Sequence, residues 1–259
     1  MNIRVIQWNI SYSCKIDKVS EYLKSHIEGK TIVCLQEVLL THKDQLISQL
    51  NPSDYSYSLD YRQPGLFDGK NRKMGVLTLV FDGLMKESAV LERTIFPDRT
   101  LYSKILFDNE KLAILNFHSL TGVGYKNAKG SNFASIAEFL HLNNDLDFFC
   151  CDANEPKIDS FDSDKLEFWE HKGRGRFASL IFGGNKVHHL NDTVTSNTKI
   201  FKELPVSYYA RKVARRYDHI YKSDRWNTKE LRYDYDNSKL ASSDHSIIIG
   251  DFEQKNSLD

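Results

Sequence analysis

Short apolar runs, each bounded by polar or turn-forming residues, recur along most of this chain. Runs of this length that are rich in Val, Ile, Leu and Phe predict β-strands. The predicted strands are residues 3–8, 31–36, 55–61, 74–81, 87–95, 101–107, 111–117, 146–151, 217–222, 230–235 and 245–250. Several of these runs are apolar throughout, which indicates a sheet covered on both faces.

Apolar residues at helical spacing predict three helices between the strands. They cover the region from Ile16 to Ile27 before Gly29, residues 43–50 before Asn51-Pro52, and residues 132–142. The polar segment 62–72 predicts a surface loop. Because the chain shows no internal repeat and no linker rich in Pro, Gly or Ser, residues 1–259 are expected to form a single mixed α/β domain.

Composition narrows the class of partner. Hydrophobic residues make up 41% and charged residues 27% of the 259 residues, which excludes whole-chain disorder. The 35 basic residues balance the 35 acidic ones, so a polyanionic partner would have to be held by a local patch. No apolar window is long enough for a membrane span, and the first residues predict a strand and not a signal peptide. We therefore expect no membrane insertion.

The cysteines indicate a cellular compartment. The chain has four, Cys14, Cys34, Cys150 and Cys151, and none lies at CxxC or zinc-ligand spacing. They are expected to be small buried thiols in a reducing environment, and the protein is expected to be cytoplasmic. No heptad pattern indicates oligomerisation, so a monomer is expected.

Polar residues follow or precede the apolar strands repeatedly. Individually each has an ordinary explanation as a turn, a cap or a solvated side chain. Together they predict a cleft at one rim of the sheets, where ligands usually bind. The segments are Gln7-Trp8-Asn9-Ile10, Leu35-Gln36-Glu37-Val38, Asn116-Phe117-His118-Ser119-Leu120, Cys151-Asp152-Ala153-Asn154-Glu155-Pro156, Arg216-Tyr217-Asp218-His219-Ile220 and Ser243-Asp244-His245.

In order and spacing, this set of segments resembles the endonuclease/exonuclease/phosphatase superfamily, the DNase I-like group. The resemblance extends from residue 3 to about residue 250. One departure is Cys151, which stands where the family usually has glycine before Asp-x-Asn. The resemblance implies an α/β fold with a two-layer β-sandwich flanked by helices in four α/β/β/α layers.

The resemblance also implies hydrolysis of phosphoesters with Mg²⁺ or Mn²⁺ at one end of the sandwich. The implied metal ligands are Glu37, Asn9 and Asp244. The implied catalytic residues are Asp152, which activates water, Asn154, which holds Asp152 or a phosphate oxygen, His245 with its partner Asp218, and His118 as a second donor to the phosphate.

Elementary chemistry supports these roles. Mg²⁺ prefers one or two carboxylates and retains several waters, which suits Glu37 and Asp244. A carboxylate such as Asp152 can act as a base on water, and an Asp–His pair such as Asp218 and His245 favours a protonated, oriented imidazole.

Three hypotheses remain open for the substrate. A nuclease acting on DNA or RNA is favoured by local basic density near tyrosines, although such residues commonly form ordinary solvated surface. A phosphatase or phospholipid phosphodiesterase, of the inositol-polyphosphate or sphingomyelin type, is the alternative. A non-catalytic relative is disfavoured because each expected position holds the expected residue type. The basic residues are Lys126, Lys129, Lys172, Arg174, Arg176, Arg211, Lys212, Arg215 and Arg216, and the tyrosines are Tyr208, Tyr209 and Tyr217.

Three further positions are interpreted conservatively. Trp169 is expected to be an ordinary packing residue, and Arg99 an ordinary surface arginine, although it could reach a phosphate from the rim. His188 and His189 are expected to be structural or surface histidines and not metal ligands.

Overall fold

The computed structural model describes residues 1–63, 73–170, 176–197 and 199–255, and for residues 122–126 it describes the backbone alone. Two six-stranded sheets stack on each other. The strands are β1 Asn2–Asn9, β2 Thr31–Leu39, β3 Asp54–Tyr57, β4 Met74–Phe81, β5 Leu84–Ala89, β6 Thr100–Phe107, β7 Glu110–His118, β8 Phe148–Asp152, β9 Asn191–Asp192, β10 Tyr208–Ala210, β11 Val213–Arg215, β12 Asp218–Lys222, β13 Trp226–Asp234 and β14 Ile247–Gln254. The first sheet has the strand order β13-β14-β1-β2-β4-β3 and the second has the order β5-β6-β7-β8-β12-β9.

Helices cover the outer face of each sheet. They are α1 Ile16–Lys24, α2 Leu40–Leu50, α3 Ser58–Tyr61, α4 Gly122–Leu142, α5 Ser179–Phe182 and α6 Tyr235–Leu240. One apolar cluster joins α1 and α2 to the first sheet, a second joins α4 and α5 to the second sheet, and a third fills the space between the sheets. The architecture is the predicted four-layer α/β/β/α sandwich, because each sheet buries apolar side chains on both faces.

The predicted strands and helices are largely confirmed, with three corrections. The strand predicted over 55–61 ends at Tyr57 and continues as α3. The strand predicted over 87–95 begins and ends earlier, as β5. The helix predicted from Asn132 begins at Gly122, because the glycines and polar residues of its first turns hide the apolar period. Most of the loop predicted over 62–72 lies outside the described residues.

The prediction that the cysteines are buried thiols is confirmed for three of the four. Cys34, Cys150 and Cys151 are buried, Cys14 is half-buried, and all four are free thiols. Cys34 and Cys150 lie in the apolar layer between the sheets, where they pack as small hydrophobic side chains. None of the helices in the described ranges is long and apolar enough to cross a membrane.

Close packing around Gly75 leads to a first prediction. Gly75 pairs with Val38 across β4 and β2, and a Cβ on Gly75 would lie 2.5 Å from Ser58 Oγ and 2.9 Å from Leu59 Cγ. The Ser58 hydroxyl is already committed, since it donates to the Asp98 carbonyl at 2.5 Å. Gly75→Ala is therefore expected to lower the free energy of unfolding by about 1–3 kcal/mol through overpacking. Urea denaturation measures this, and an unchanged midpoint would contradict it.

Candidate active site

Strand ends from both sheets meet at one rim of the sandwich. In the first sheet β1 and β2 run parallel and pair Asn9 with Gln36 at their ends. In the second sheet β7 and β8 run parallel and pair His118 with Asp152, which also faces Asp218 at the start of antiparallel β12. Parallel strands end on the same edge, so these side chains gather where the sequence predicted.

A cleft of about 400 Å³ opens at this rim. It brings together six of the eight predicted site residues, while Asn9 and Asp218 lie directly behind it as hydrogen-bond partners of two of those six. The lining side chains are Ser11, Tyr12, Glu37, Met74, Arg99, His118, Ser119, Thr121, Asp152, Asn154, Tyr208, Asp244 and His245.

Glu37 reaches the cleft through an irregularity in its strand. The pairing of β2 with β4 shifts register between Leu35 and Val38, and Glu37 adopts a left-handed φ of 58°. A bulge of this kind re-aims a side chain, and strained backbone of this kind persists only where surrounding structure enforces it. The Glu37 carboxylate accepts one hydrogen bond, from the Tyr12 amide at 3.1 Å. Its other oxygen lies 3.8 Å from His118 Nε2.

Asp152 is the buried centre of the site. One of its oxygens accepts from Asn9 Nδ2 at 2.8 Å and the other from the Asn154 amide at 2.9 Å. His118 Nε2 lies 3.5 Å and His245 Nε2 3.9 Å from the same carboxylate. Burial raises the pKa of Asp152 to about 7, although the nearby His245 opposes the shift. A carboxyl group with such a pKa can take up a proton near neutral pH.

Asp218 and His245 form a buried pair. His245 Nδ1 lies 2.8 Å from Asp218 Oδ2. Gln7 Nε2 donates to Asp218 Oδ1 at 3.0 Å, which helps to fix the carboxylate. Burial disfavours a charged imidazole, but the carboxylates of Asp218 and Asp152 outweigh it and raise the pKa of His245 to about 10. His245 is therefore a protonated donor across the physiological range.

A relay of buried amides behind the cleft was not assigned from the sequence. Gln7 donates to Gln36 Oε1 at 2.8 Å, and Gln36 donates to Asn116 Oδ1 at 2.8 Å. The relay ties the first sheet to the second and ends at Asp218 through Gln7. The signal was present in the sequence, because each amide stands beside a predicted site residue in an otherwise apolar strand.

Arg99 corrects a prediction. It is buried and lines the cleft, at the end of the 3₁₀ turn Pro97–Arg99, and is not an ordinary surface arginine. Its Nη1 lies 3.2 Å from His118 Nδ1. Since a guanidinium only donates, His118 Nδ1 accepts, and the proton of the neutral ring stands on Nε2, facing Asp152 and Glu37.

Two of the predicted basic residues are unavailable to a substrate. Lys129 is buried in α4, where Nζ lies 2.7 Å from Glu155 Oε1. Arg216 is buried between Asp159 and Asp192, at 2.6 Å and 2.7 Å. Their charges are satisfied by acidic partners that the sequence spacing did not reveal. Lys172, Arg174 and the side chain of Lys126 lie outside the described residues.

The remaining basic residues lie on or beside the described surface. Arg211 and Lys212 are exposed at the tip of the β10–β11 hairpin, and Arg215 is half-buried at its end. Arg176 is exposed just before α5. The hairpin borders the cleft, because Tyr208 at its start stacks on His245 at 4.6 Å.

The interpretations of Trp169 and of the two histidines, His188 and His189, have different outcomes. Trp169 is not an ordinary packing residue, since 42% of it is exposed. His188 and His189 are structural, with Nε2 close to the carbonyls of Ile181 at 2.9 Å and Leu146 at 3.0 Å.

Two groups of side chains offer donors for a cation. Asp152, Asp218 and His245 lie close together, but His245 Nδ1 and Asp218 Oδ2 already share a hydrogen bond at 2.8 Å, which leaves fewer donor atoms for a metal. Glu37 and Asp244 both line the cleft, and Asn9 behind it carries an amide oxygen that accepts from the Ser11 amide at 3.0 Å. This second set contains only oxygen donors and so fits a hard divalent cation.

Solved structures share this fold. The endonuclease/exonuclease/phosphatase from Bacteroides vulgatus is 17% identical, with a TM-score of 0.67 over 98% of this chain and 100% of that one. The human Nocturnin catalytic domain with bound sulfate anion is 16% identical, with a TM-score of 0.64 over 98% and 94%. D. rerio TDP2 complexed with single strand DNA product is 12% identical, with a TM-score of 0.64 over 98% and 99%.

These likenesses confirm the predicted DNase I-like fold. No family model matches the sequence, and no curated protein matches it. At 12–17% identity the likeness extends to the fold, and the chemistry has to be argued from the side chains themselves.

Proposed function

We propose that this protein is a divalent-metal-dependent phosphodiester hydrolase that acts on nucleic acid. The observation that carries the proposal is the convergence of Asp152 with two imidazoles, His118 at 3.5 Å and His245 at 3.9 Å, inside one cleft. A carboxylate flanked by two nitrogen donors suits hydrolysis of an anionic ester, because it combines a base with groups that hold the phosphate.

Glu37, Asp244 and Asn9 would hold the cation. When bound, a divalent cation shields the charge of the phosphate and stabilises the leaving oxygen. The Glu37 carboxylate is suited to this role because its Oε2 accepts a single backbone amide, from Tyr12. Mg²⁺ and Mn²⁺ both accept such oxygen donors.

Asp152 would take the proton of the attacking water. Its hydrogen bonds from Asn9 and the Asn154 amide hold the carboxylate still, so that little reorganisation is needed at the moment of reaction. Asn154 Nδ2 donates to the Ser119 carbonyl at 3.2 Å. In this proposal Asn154 positions Asp152 through its backbone amide.

Three donors would hold the phosphate. His245 offers a protonated Nε2, and His118 offers Nε2–H while Arg99 holds its Nδ1. Arg99 adds a guanidinium charge to the same wall of the cleft. Fixed donors of this kind are worth about 3 kcal/mol each by analogy with oxyanion holes.

The choice of nucleic acid as the substrate rests on separate observations. Arg211 and Lys212 are exposed on the hairpin whose Tyr208 borders the cleft, and exposed cations near a cleft suit a polyanionic polynucleotide. TDP2, which has a similar fold, has been solved with a single-strand DNA product. A phosphatase or phospholipid phosphodiesterase remains the alternative for the same site. A single domain over residues 1–259, a monomeric state and a cytoplasmic location remain proposals.

The metal assignment leads to a second prediction. Glu37→Gln keeps the size of the side chain but removes its charge, so metal-dependent hydrolysis should fall at least about 100-fold, because even outer-shell partners of metal ligands are worth about 10- to 100-fold. Mn²⁺ affinity, measured by calorimetry, should fall with it. Glu87→Gln, on the edge strand β5 where Glu87 pairs with Lys104, is the matched control and should change neither quantity.

The assay panel contains supercoiled DNA, single-stranded DNA, RNA, an abasic duplex, sphingomyelin and inositol polyphosphates, each with Mg²⁺, Mn²⁺ or EDTA. Nucleic-acid cleavage that requires metal and is lost with Glu37→Gln supports the proposal. Turnover confined to a lipid or a small phosphate would favour the alternative function, that of a phosphatase or phospholipid phosphodiesterase. An unchanged Mn²⁺ affinity in Glu37→Gln would contradict the metal assignment.

A further inference from the structure

One exposed aromatic side chain beside the site is held rigidly. The three tryptophans of the chain are Trp8, Trp169 and Trp226. Trp8 and Trp226 are fully buried, whereas Trp169 is 42% exposed. Its indole Nε1 donates to Tyr217 OH at 3.0 Å, and its backbone amide donates to Glu155 Oε2 at 2.6 Å. An indole that is held by a hydrogen bond, on a backbone that is itself anchored, loses little conformational entropy when a ligand binds to it.

Glu155 connects this tryptophan to the catalytic loop. It directly follows Asn154 and is fully buried, and it also accepts the Glu170 amide at 2.9 Å. The same stretch of chain therefore carries Asp152 and anchors Trp169. Any shift of the loop would move the exposed indole with it.

Stacked aromatic rings and one hydrogen bond connect the cleft to Trp169. Tyr208 stacks on His245 with centroids 4.6 Å apart and planes inclined by 28°. Tyr217 stacks on Tyr208 at 5.7 Å and 24°, and its hydroxyl accepts the Trp169 indole N–H. We name Tyr208, Tyr217 and Trp169 the aromatic strip.

Cations flank the outer end of the aromatic strip. Arg215 Cζ and Lys157 Nζ each lie 5.9 Å from the centroid of the Trp169 ring. Lys157 pairs with Glu167 at 2.8 Å. Arg215 donates to the Lys157 carbonyl and has no carboxylate partner among the described residues, so its charge is available to an anion.

We propose that Trp169, at the exposed end of the aromatic strip, stacks on a base of a single-stranded nucleic acid whose scissile phosphate lies in the cleft. This rests on the proposed function and names its substrate as a single strand. A flat ring beside a guanidinium provides stacking and a phosphate contact within one nucleotide. Base faces are available for stacking in a single strand and are hidden in a duplex. A membrane surface fits less well, because the indole is tied back by its hydrogen bond to Tyr217 OH and the nearby Lys157 pairs with the Glu167 carboxylate.

Tryptophan fluorescence tests this directly, since Trp169 is the exposed one of the three indoles. A short oligothymidylate or oligouridylate, mixed rapidly with the protein in Mg²⁺, should quench the fluorescence before hydrolysis proceeds. Trp169→Phe should abolish the quenching, because the two buried indoles are out of reach of a base. Quenching that persists in Trp169→Phe, or no quenching at all in the unaltered protein, would overturn the proposal.

Affinity provides the second readout. Trp169→Ala should raise the Kd for the oligonucleotide about 5- to 150-fold, the range for losing one stacked base. Tyr55→Ala removes an aromatic of similar exposure on β3, which does not line the cleft, and should leave the Kd unchanged. An equal loss of affinity for a fully paired duplex, or quenching by phosphatidylcholine vesicles in place of oligonucleotides, would also overturn the proposal.

Hydrolysis of bis(p-nitrophenyl) phosphate by the unaltered protein separates this inference from the proposed function. That small diester carries no strand that could extend to Trp169. Hydrolysis without oligonucleotide quenching would reject the aromatic strip and retain the phosphodiesterase. Quenching without hydrolysis would reject the phosphodiesterase and retain a binding surface for single strands.

Discussion

Replacing Asp218 with asparagine is expected to lower kcat at neutral pH by about 10³- to 10⁴-fold, by analogy with loss of the orienting carboxylate in a serine-protease triad. Asp218 is fully buried and touches His245 Nδ1 at 2.8 Å. An amide in its place keeps the shape but removes the charge that, with Asp152, raises the pKa of His245 to about 10. The pKa of His245 should then fall, because burial lowers it and only the carboxylates of Asp152 and Asp244 still oppose burial.

The pH profile distinguishes this role from simple misfolding. In the unaltered protein His245 stays protonated well above neutrality, and activity should not depend on its titration between about pH 6 and 8. In Asp218→Asn the imidazole should lose its proton at a lower pH than in the unaltered protein, so activity should fall as the pH rises above neutrality, where the activity of the unaltered protein does not. The pH dependence of stability offers a second test. The pKa of His245 is raised from about 6.5 in the unfolded chain to about 10 in the folded protein. Its protonation therefore contributes stability that is fully present below about pH 6.5 and is lost as the pH rises towards 10.

A matched Asp→Asn control is available on the same protein. Asp251 lies on β14 and pairs with Arg4 at 2.7 Å, away from the lining of the cleft. Asp251→Asn should keep kcat and its pH profile. If Asp218→Asn also keeps the kcat of the unaltered protein at neutral pH, the proposed role of the Asp218–His245 pair is wrong.

Replacing Lys129 with methionine is expected to lower the free energy of unfolding by about 3–5 kcal/mol, the usual cost of leaving one buried charge without its partner. Nζ of Lys129 lies 2.7 Å from Glu155 Oε1 and donates to the Asn154 carbonyl at 2.8 Å. Burial lowers the pKa of Lys129 and raises that of Glu155, while the attraction between the two charges opposes both shifts. Without the ammonium group, the Glu155 carboxylate keeps two backbone amide donors and has no countercharge among the described residues.

Urea denaturation at neutral pH measures this cost. Adding Glu155→Gln to Lys129→Met should recover part of the loss, because the uncompensated charge is then gone. Lys165→Met is the matched control, since Lys165 is exposed and pairs with Asp162 at the surface at 3.2 Å. It should change the stability by no more than about 0.5 kcal/mol. A cost below about 1 kcal/mol for Lys129→Met would show that the buried pair contributes little.

The sequence was most informative where local pattern and function coincide. Apolar strands that end in Asn9, Glu37, His118 and Asp152 predicted a cleft, because strands end at the rim of a sheet whatever packs around them. Through their resemblance to the endonuclease/exonuclease/phosphatase superfamily, the same segments implied the DNase I-like fold, which the structure confirms. Periodicity found α1, α2 and the second half of α4 because their apolar faces repeat every turn.

Charge assignment required the tertiary structure. Lys129 and Arg216 look like surface cations in the sequence, yet each is buried against an acidic residue that is distant in the chain or separated by several elements. Arg99 was expected to be an ordinary surface residue and Trp169 an ordinary packing residue, and both expectations were wrong. Arg99 is brought into the cleft by a short turn. Trp169 is held outward by Glu155 and Tyr217.

The sequence by itself therefore determined the fold class and the residue types of the site, since both depend on periodicity and on the polar residues at the strand ends. The tertiary structure decided which charges are free to meet a substrate, how each imidazole is protonated and where a strand could stack. The physical reason is that burial and ion pairing depend on which residues are close in three dimensions, and this cannot be inferred from their separation along the chain. Asp218 and His245 are 27 residues apart and share one hydrogen bond.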